Sequence, residues 1–447
     1  MDQGEFMEKL IGEHLSAAKF YKFVTPSIIM LLFISLYSIV DGIFVANFVG
    51  SDALAAINII LPIGALVMGA AIMLATGSSA IVAILLGEKK TEEANEKFTL
   101  ICLVALVVGV VFAVFGYVFI DEVIRALGAT DRLFEYCKTY GTYMIISAPF
   151  MFVAMIYEYY IRVDGKPGFT LVLYVSGGVT NIVLDYVFIV IMGLGIEGAA
   201  LATLIGIVLT FFLGAWYFYF GKTSIKYRKP HMDWKFIGDS LVNGSSQMVG
   251  ELSTGITTLI FNLVVLRIAG EDGVAALTIV LYTQFLMVST YMGFAMGVSP
   301  LISYGYGAER HDQIVKILKY SKSFIAISSV AVFFIAELMA PLIVRVFVGL
   351  NSPVYPMALS GLRIFAVAFL FIGVNVFISG MFTAYANGKI SAIISFCRAL
   401  FFVAIGILTL PQFFHLKGVW LTVPFAELMT ILVSVFFLNR YRERYRY

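Results

Sequence analysis

The segment PSIIMLLFISLYSIVD, from Pro26 to Asp41, is almost wholly apolar and ends in a carboxylate. With its flanks it is long enough to enter a lipid bilayer as a helix. A charged side chain inside a bilayer costs at least about 2.5–3.5 kcal/mol, so such a residue rarely lacks a use. Pro26 removes a backbone hydrogen bond and allows a bend. The segment therefore predicts a membrane helix with a functional acid, Asp41, and a hinge at Pro26.

The composition of the whole chain is that of a membrane protein. Of its 447 residues, 61% are hydrophobic and 13% are charged, whereas soluble globular proteins carry about 25% charged residues. The surplus of apolar side chains requires lipid as the solvent. The net charge of +2 does not favour a nucleic-acid partner. The three cysteines and four histidines show no ligand or redox spacing, so no resident metal or cofactor is expected.

Apolar runs of about 20 residues predict transmembrane helices, and the chain contains twelve. They are 20–46, 53–86, 98–120, 136–161, 168–192, 196–220, 240–268, 274–304, 316–345, 357–384, 390–412 and 417–440. The one long polar connection, 221–239, separates an N-lobe, residues 1–220, from a C-lobe, residues 240–447, which ends in a basic tail. We therefore predict an all-α membrane protein of twelve helices in two six-helix lobes.

The distribution of cations predicts the orientation. Most of the 30 Lys and Arg residues fall in one set of loops, in the linker and in the C-terminal tail. Because cytoplasmic loops carry the excess of Lys and Arg, both termini are expected in the cytoplasm, with the protein in the cell inner (plasma) membrane. The start of the chain lacks the pattern of a cleaved signal and is interpreted as a cytoplasmic amphipathic lead-in.

The two halves share sequence features at a shift of 220 positions. The segment GSDALAA, which begins at Gly50, aligns with GEDGVAA, which begins at Gly270. Three further glycine pairs keep this register: Gly77 and Gly297, Gly87 and Gly307, Gly198 and Gly418. Six spans in each half give both halves the same orientation, so the pseudo-two-fold axis lies along the membrane normal. Transporters bind substrate between two such halves and rock them.

Four polar residues of the N-lobe lie close together in predicted depth. Asp41, Asp185 and Thr203 each lie about five to seven residues from the outer end of a span, and Asn181 shares a helix face with Asp185. Two carboxylates, an amide and a hydroxyl suit a shared proton or a hard cation such as Na⁺. Hydrogen bonding between helices is the alternative for Asn181 and Thr203. It explains the two acids poorly, since no Lys or Arg lies at that depth, and we predict a site for H⁺ or Na⁺.

The C-lobe carries a different set of intramembrane charges. Arg398 and Glu427 lie near the middle of consecutive spans, which predicts a structural ion pair. Glu251 has no evident partner and is a candidate for recognising a cation. The excess of interior acids favours cationic cargo.

The remaining candidates for substrate binding are aromatic, amide and methionine side chains. Tyr37 lies one helical turn before Asp41, and Gln284 and Met287 lie in the eighth span. Aromatic and methionine side chains line adaptable pockets for flat cations. Facing lipid is the alternative for most of the aromatic and methionine residues.

These residues and motifs resemble the multidrug and toxic compound extrusion (MATE) family, in the branch with DinF-like and MepA-like members. The resemblance covers almost the whole chain and rests on Pro26 with YSIVD at 37–41, on Gly50 with ALAA at 53–56, and on the set Asn181, Asp185 and Thr203. It implies an antiporter, not an enzyme, that exports organic cations and drugs in exchange for Na⁺ or H⁺, with Asp41 as the coupling residue. Its partners would be these small molecules and the bilayer, and we expect a monomer.

The match to a second branch of the family is incomplete. Glu251 resembles the seventh-helix glutamate of that branch, but the tenth-helix aspartate has no counterpart, since span ten offers Asn375. The alternative within the same superfamily is a flippase for lipid-linked oligosaccharides, which usually has extra spans and a more cationic cavity. A channel would require a filter signature, and none is present.

Overall fold

The computed structural model describes residues 15–447, without the side chains of Ile43, Ala46 and Ser51. His14 and most of the predicted amphipathic lead-in lie outside the described residues. Within them, nine helices and one bent helix pair are long and apolar enough to cross a membrane. Two of the nine contain a break, at Gly270 and at His415, and each is therefore two spans. The described chain thus has twelve spans, and the predicted all-α architecture is confirmed.

The N-lobe contains the first six spans, and a short helix, Ile120–Ala126, follows the third. The spans are α1 (Ala17–Val49), α2 (Ser51–Gly87), α3 (Thr91–Val118), α4 (Asp131–Val163), α5 (Pro167–Ile191) and α6 (Gly195–Phe220).

The C-lobe contains the other six spans. They are α7 (234–269), α8 (271–307), α9 (His311–Phe347), α10 (Val354–Ala366 and Phe369–Ala384), α11 (388–414) and α12 (416–445). The two parts of α10 meet at 51°.

The backbone repeats the duplication seen in the sequence. Residues with positive φ lie at helix boundaries at three positions of the N-lobe, and each has a counterpart 220 residues later. The pairs are Gly50 and Gly270, Lys89 and Glu309, and Gly195 and His415. These positions are helix ends, where a left-handed residue stops the hydrogen-bond ladder and turns the chain. At Gly270 and His415 this single residue is the whole connection between two spans, so the predicted loops at these points are shorter than expected.

The lobes pack against each other on the side of the membrane that carries the described chain ends and the linker, which we call the terminal side. A methyl group on Gly77 of α2 would lie 1.9 Å from the carbonyl oxygen of Ser240, and one on Gly244 of α7 would lie 1.8 Å from that of Met73. Only glycine permits this backbone approach. The Asn243 side chain adds a hydrogen bond of 3.2 Å to the Gly77 carbonyl.

Away from the terminal side, the same two helices become exposed. On α2, Leu66 and Leu61 are 40% and 57% exposed, and on α7, Ile256 and Leu259 are 48% and 61% exposed. Two helices that touch at their glycines therefore diverge toward the opposite side. We call the region between α2 and α7 on that opposite side the cleft.

The first helix crosses from one lobe to the other. Its first turns, with Phe20 and Val24, belong to an apolar core shared with Phe294 and Val298 of α8. Further along, the hydroxyl of Ser35 lies 2.5 Å from that of Ser289 on α8. Beyond this point α1 packs on α5 of its own lobe. The first helix thus contacts both lobes.

The linker is bound to the N-lobe over most of its length. The backbone N–H groups of Ser224, Lys226 and Arg228 donate to the side chains of Asp164 (2.6 Å), Asn95 (2.9 Å) and Thr99 (2.9 Å). The helix α7 then begins at Trp234, within the predicted linker, because Asp233 caps it by accepting from the Phe236 N–H at 3.0 Å. The contacts of the linker with the N-lobe thus end shortly before the start of α7.

Candidate functional site

The structure brings the four predicted polar residues of the N-lobe together. Asp41 on α1 contacts Asp185 on α5 through the two carboxyl groups. One turn before Asp185, the Asn181 amide donates to the Thr203 hydroxyl of α6 at 3.4 Å. Thr203 in turn donates to the carbonyl of Ala199 in its own helix at 3.1 Å. Three helices thus place two carboxyls, an amide and a hydroxyl at one point, which we call the N-lobe oxygen cluster.

Most of the oxygens in this cluster have no hydrogen-bond donor. Both carboxylate oxygens of Asp185, Oδ1 of Asp41 and Oδ1 of Asn181 are buried without a partner among the described residues. Asp185 is 0% exposed and Asn181 is 2% exposed. Two ionised carboxylates repel each other and cannot hydrogen-bond without a proton between them. The oxygens therefore fit a ligand that brings positive charge, either a proton or a hard cation such as Na⁺.

The cluster also includes a tyrosine, Tyr140, that was not predicted from the sequence. Tyr140 of α4 lies beside Asp41 and Tyr37, and its hydroxyl contacts Thr203. It lies nine residues into α4, near the depth of the other members. The depth argument applied to α4 would have indicated it, but depth alone does not say which face of α4 points inward.

The backbone is irregular at the two aspartates. The α-helical part of α1 ends at Phe44 and is followed by a π-helical segment, Val45–Val49. In α5 the π-helical segment, Tyr186–Ile191, begins directly after Asp185. Such segments shift side chains around the helix axis and occur frequently at functional sites. Both helices that contribute an acid have this feature on the outer side of that acid.

Pro26 lies inside the continuous helical part of α1, far from the acids. It precedes Asp41 by 15 residues, which is about 22 Å along a helix. Its neighbours Ser27 and Ile28 contact Gly293 of α8, where an added methyl group would lie 2.7 Å from backbone atoms of both. A bend at Pro26 would therefore act at the contact between α1 and the C-lobe, and the hinge role stays a prediction.

The predicted substrate-binding residues lie in different surroundings. The Tyr37 ring stacks on Phe33, with 6.3 Å between centroids, close to the aspartates. Glu251 of α7 faces α2 of the other lobe, and its Cβ would lie 3.3 Å from a methyl group added to Gly69. Met287 packs against the C-lobe core, and Gln284 is half-buried on α8. The structure therefore joins Tyr37 to the oxygen cluster and leaves Glu251 at the floor of the cleft.

The C-lobe holds a second polar cluster, around Glu427. Arg398 of α11 approaches Glu427 of α12, with 3.4 Å between Nη1 and Oε1. The Asn375 amide of α10 donates to the other carboxylate oxygen and to the Glu427 carbonyl, each at 2.8 Å. Asn375 itself accepts from the Ser434 hydroxyl at 2.9 Å. Asn375, which stands where the second branch has an aspartate, thus binds Glu427 more closely than Arg398 does.

A metal centre of the transition-metal kind is not found in the described part of the chain. Residues 15–447 contain no group of three or more His, Cys, Asp or Glu side chains that could hold a metal ion. The N-lobe oxygen cluster has two acids, which is enough for a monovalent cation.

Comparison with known proteins identifies the family. The MatE family model matches the chain twice, over residues 26–187 and 248–408, once in each lobe. The multidrug export protein MepA of Staphylococcus aureus (strain bovine RF122 / ET3-1) is 24% identical over 433 residues, covering 94% of this chain and 93% of that protein. MepA of Staphylococcus haemolyticus (strain JCSC1435) is 25% identical over 424 residues, covering 92% and 91%.

Solved structures show the same fold. The outward-facing conformation of a multidrug resistance MATE family transporter of the MOP superfamily matches with a TM-score of 0.92, at 22% identity and 98% coverage of both chains. A MATE structure in the straight conformation matches with a TM-score of 0.92, at 23% identity and 99% coverage of both. Since the family model covers most of both lobes, the chain belongs to the MatE family of multidrug and toxic compound extrusion transporters, which are multi-pass membrane proteins.

Proposed function

We propose that the protein is a secondary active antiporter that exports organic cations and drugs in exchange for H⁺ or Na⁺. The observation that carries the proposal is the N-lobe oxygen cluster, with four buried oxygens that lack a donor among the described residues. A purely structural cluster would satisfy its buried polar atoms internally. A site that alternately takes and releases a cation leaves them available.

The two aspartates would couple the cation to the position of α1. A proton or Na⁺ ion between Asp41 and Asp185 relieves their repulsion and draws α1 toward α5. Because α1 also contacts α8 through Ser35 and Ser289, a change at Asp41 reaches the C-lobe. If substrate favours the arrangement without the cation, each ligand weakens the binding of the other by the same factor.

Rocking of the lobes would provide alternating access. We take residues 1–220 and 240–447 as the two moving lobes. Their contacts at Gly77 and Gly244 close the terminal side, and the excess of Lys and Arg places that side in the cytoplasm of a cell with this protein in its plasma membrane. The described arrangement then corresponds to a state open to the outside. Opening the terminal side requires the glycine contacts to separate while the start of α7 acts as the hinge.

The charge in the cleft favours transport of cationic compounds. Glu251 is not hydrogen-bonded within the described residues and stands between the lobes, where a carboxylate favours a cation. Tyr37 and the apolar side chains of α2 and α7 supply contacts for a flat apolar body. The transporter would act as a monomer without a resident cofactor.

The test is efflux of a fluorescent organic cation from proteoliposomes under separately imposed Na⁺ and pH gradients. We expect accelerated efflux under one of the two gradients, and loss of that acceleration in Asp41→Asn. Asp131→Asn, which changes an exposed acid at the start of α4, is the matched control and is expected to behave as wild type. Efflux that ignores both gradients, or that survives in Asp41→Asn, would reject the proposal.

A further inference from the structure

The last turns of α12 place exposed arginines at the end of an apolar stripe. Leu428, Leu432 and Phe436 are 48%, 61% and 62% exposed. The cleft lies on the opposite side of the membrane, so Phe436, near the terminal end of α12, faces lipid. Arg440 and Arg444 follow Phe436 by one and two turns and are exposed. Because α12 begins at residue 416 and about 20 helical residues cross the hydrocarbon core, both arginines lie at the level of the lipid headgroups.

These arginines are open to an anionic ligand. The segment 440–446 contains four arginines and one acid, Glu443, and among the described residues none of the four makes an ion pair. Arg442 donates to the Tyr447 carbonyl at 3.3 Å, and the Arg444 guanidinium lies 5.6 Å from the ring centre of Tyr445. Arginine binds phosphate oxygens with two parallel hydrogen bonds. The donors of this patch therefore fit a phosphate group. We call Arg440, Arg442, Arg444 and Arg446 the arginine patch.

The helix that carries the arginine patch is held in place. Tyr445 is 2% exposed, and its ring stacks on Tyr385 with 4.3 Å between centroids and an interplanar angle of 16°. Its hydroxyl accepts from the Asn387 amide at 2.9 Å. The Tyr447 hydroxyl donates to the Leu438 carbonyl at 2.8 Å. The backbone of the patch is thus ordered before a ligand arrives, which lowers the entropic cost of binding.

The same attachment leads to the contact between the lobes. Asn387, which binds Tyr445, precedes Gly388 in the turn between α10 and α11. A methyl group on Gly388 would lie 2.2 Å from Cα of Asn243 on α7, so the turn packs directly on that helix. Asn243 in turn donates to the carbonyl of Gly77 in the N-lobe at 3.2 Å. A continuous set of contacts therefore joins the end of α12 to the closed terminal side.

We propose that the arginine patch binds the phosphate of an anionic phospholipid in the leaflet on the terminal side, and that this lipid stabilises the arrangement in which the lobes touch there. A lipid is favoured over a soluble anion because the patch continues the lipid-facing stripe of α12. Basic clusters directly beside a membrane span bind anionic headgroups in this way. The lipid site is independent of antiport, whereas its effect on the lobe contact rests on the proposed rocking of the lobes.

The first test counts bound lipid. Native mass spectrometry of the full-length protein, released from micelles that contain phosphatidylcholine and phosphatidylglycerol, measures the preference for the anionic lipid. The double variant Arg440→Gln, Arg444→Gln should weaken phosphatidylglycerol binding by about 25-fold, at about fivefold for each basic residue near the headgroups. Replacement of both arginines by lysine should retain most of the binding.

The control removes two charges elsewhere on the same side. Arg228→Gln with Lys229→Gln changes two exposed cations of the linker and should leave the preference unaltered. Phosphatidylglycerol binding that survives in the arginine double variant, or that falls equally in the linker variant, would overturn the lipid site.

The second test follows the lobe contact. Spin labels at Glu92→Cys, at the start of α3, and Asp312→Cys, at the start of α9, report the distance between the lobes on the terminal side. Both positions are exposed, and the three native cysteines are replaced by alanine. In nanodiscs, phosphatidylglycerol should raise the fraction with the short distance relative to phosphatidylcholine alone. The arginine double variant should lose this response. Tyr445→Phe, which removes the hydroxyl that accepts from Asn387, should keep the lipid and reduce the response.

The remaining outcomes are equally decisive. A distance distribution that phosphatidylglycerol does not change would overturn the effect on the lobe contact. Soluble glycerol phosphate that produces the same closure in phosphatidylcholine nanodiscs would assign the patch to a free anion and also overturn the proposal. Neither readout uses substrate or an ion gradient, so a failure of antiport would be seen in the efflux experiment and not here.

Discussion

The two lobes share one backbone architecture, but their buried polar residues lie at different positions. At the shift of 220 positions, the members of the N-lobe oxygen cluster correspond to apolar residues of the C-lobe: Asp41 to Phe261, Asn181 to Phe401, Asp185 to Ile405 and Thr203 to Val423. The C-lobe polar residues correspond in turn to apolar or small residues: Asn375 to Met155, Arg398 to Gly178 and Glu427 to Ile207. Neither lobe retains the site of the other.

The difference is visible where Gly178 and Arg398 occupy corresponding places. A methyl group on Gly178 would lie 2.7 Å from the ring of Phe33, so α1 packs directly on α5. In the C-lobe the corresponding position carries Arg398, whose guanidinium approaches Glu427. The depths also differ, since Asp185 lies 18 residues into α5 and Arg398 lies 10 residues into α11, about 27 Å and 15 Å. The duplication thus supplies a common scaffold, and each lobe carries its own set of intramembrane polar residues.

The largest expected effect comes from removing one charge of the N-lobe oxygen cluster. Asp185→Asn should abolish gradient-driven export while leaving a folded protein, because the amide can donate to Asp41 and mimic the cation-bound state. Asn181→Ala removes a ligand without removing charge, so it should only shift the cation dependence. Transport in proteoliposomes and thermal unfolding of each variant are the measurements. Full export by Asp185→Asn would show that the coupling site lies elsewhere.

The next effect contrasts an ion pair from each lobe. Arg162→Ala leaves the buried Glu158 without its counter-charge, with only the Tyr174 hydroxyl donating to it, and it should cost about 3–5 kcal/mol. Arg398→Ala should cost less, about 1–3 kcal/mol, because its contact with Glu427 is longer and its side chain is more exposed, 19% against 1% for Arg162. The added change Glu427→Gln should recover part of the loss. Thermal unfolding in detergent ranks the variants. Equal losses for the two arginines would show that the length and exposure of the ion-pair contact do not determine its contribution to stability.

A smaller effect is expected at the floor of the cleft. Glu251→Gln keeps the shape of the side chain without its charge, so it should weaken binding of cationic compounds severalfold and leave neutral ones nearly unchanged. Equilibrium binding of a cationic dye and of a neutral dye of similar size measures the contrast. If both affinities change alike, Glu251 acts through packing and not through charge.

The smallest effect concerns the boundary between linker and C-lobe. Lys97 lies 2.5 Å from Asp233 and holds the pKa of that carboxyl below its ordinary value. A depressed pKa means that the pair stabilises the fold at neutral pH and that this contribution is lost as the pH falls through the folded-state pKa, below about 3.9. Asp233→Asn should therefore cost about 0.5 kcal/mol at pH 7, and less in acid. Thermal unfolding of wild type and variant across pH checks this, with a constant difference as the contrary result.

Hydropathy and residue spacing were sufficient to predict the membrane spans, the duplication and the proximity of Asp41 to Asp185. They give the depth of a residue in the membrane but not the rotation of each helix about its axis. For this reason Tyr140 was not predicted as a member of the cluster, and the hydrogen bonds from Asn375 to Glu427 were not predicted either. The π-helical segments depend on packing between helices and have no signature in composition. The attachment of the linker to Asp164 likewise depends on contacts far apart in the chain.

Our central proposal is that the coupling cation binds at the N-lobe oxygen cluster and that Arg398 of the C-lobe takes no part in coupling. The most direct test measures the affinity for a fluorescent organic cation across Na⁺ concentration and pH in wild type, Asp185→Asn and Arg398→Gln. We expect the affinity to fall with rising concentration of the coupling cation in wild type, to stay constant in Asp185→Asn, and to fall in Arg398→Gln by the same factor as in wild type. Cation dependence that persists in Asp185→Asn, or that disappears in Arg398→Gln, would contradict it.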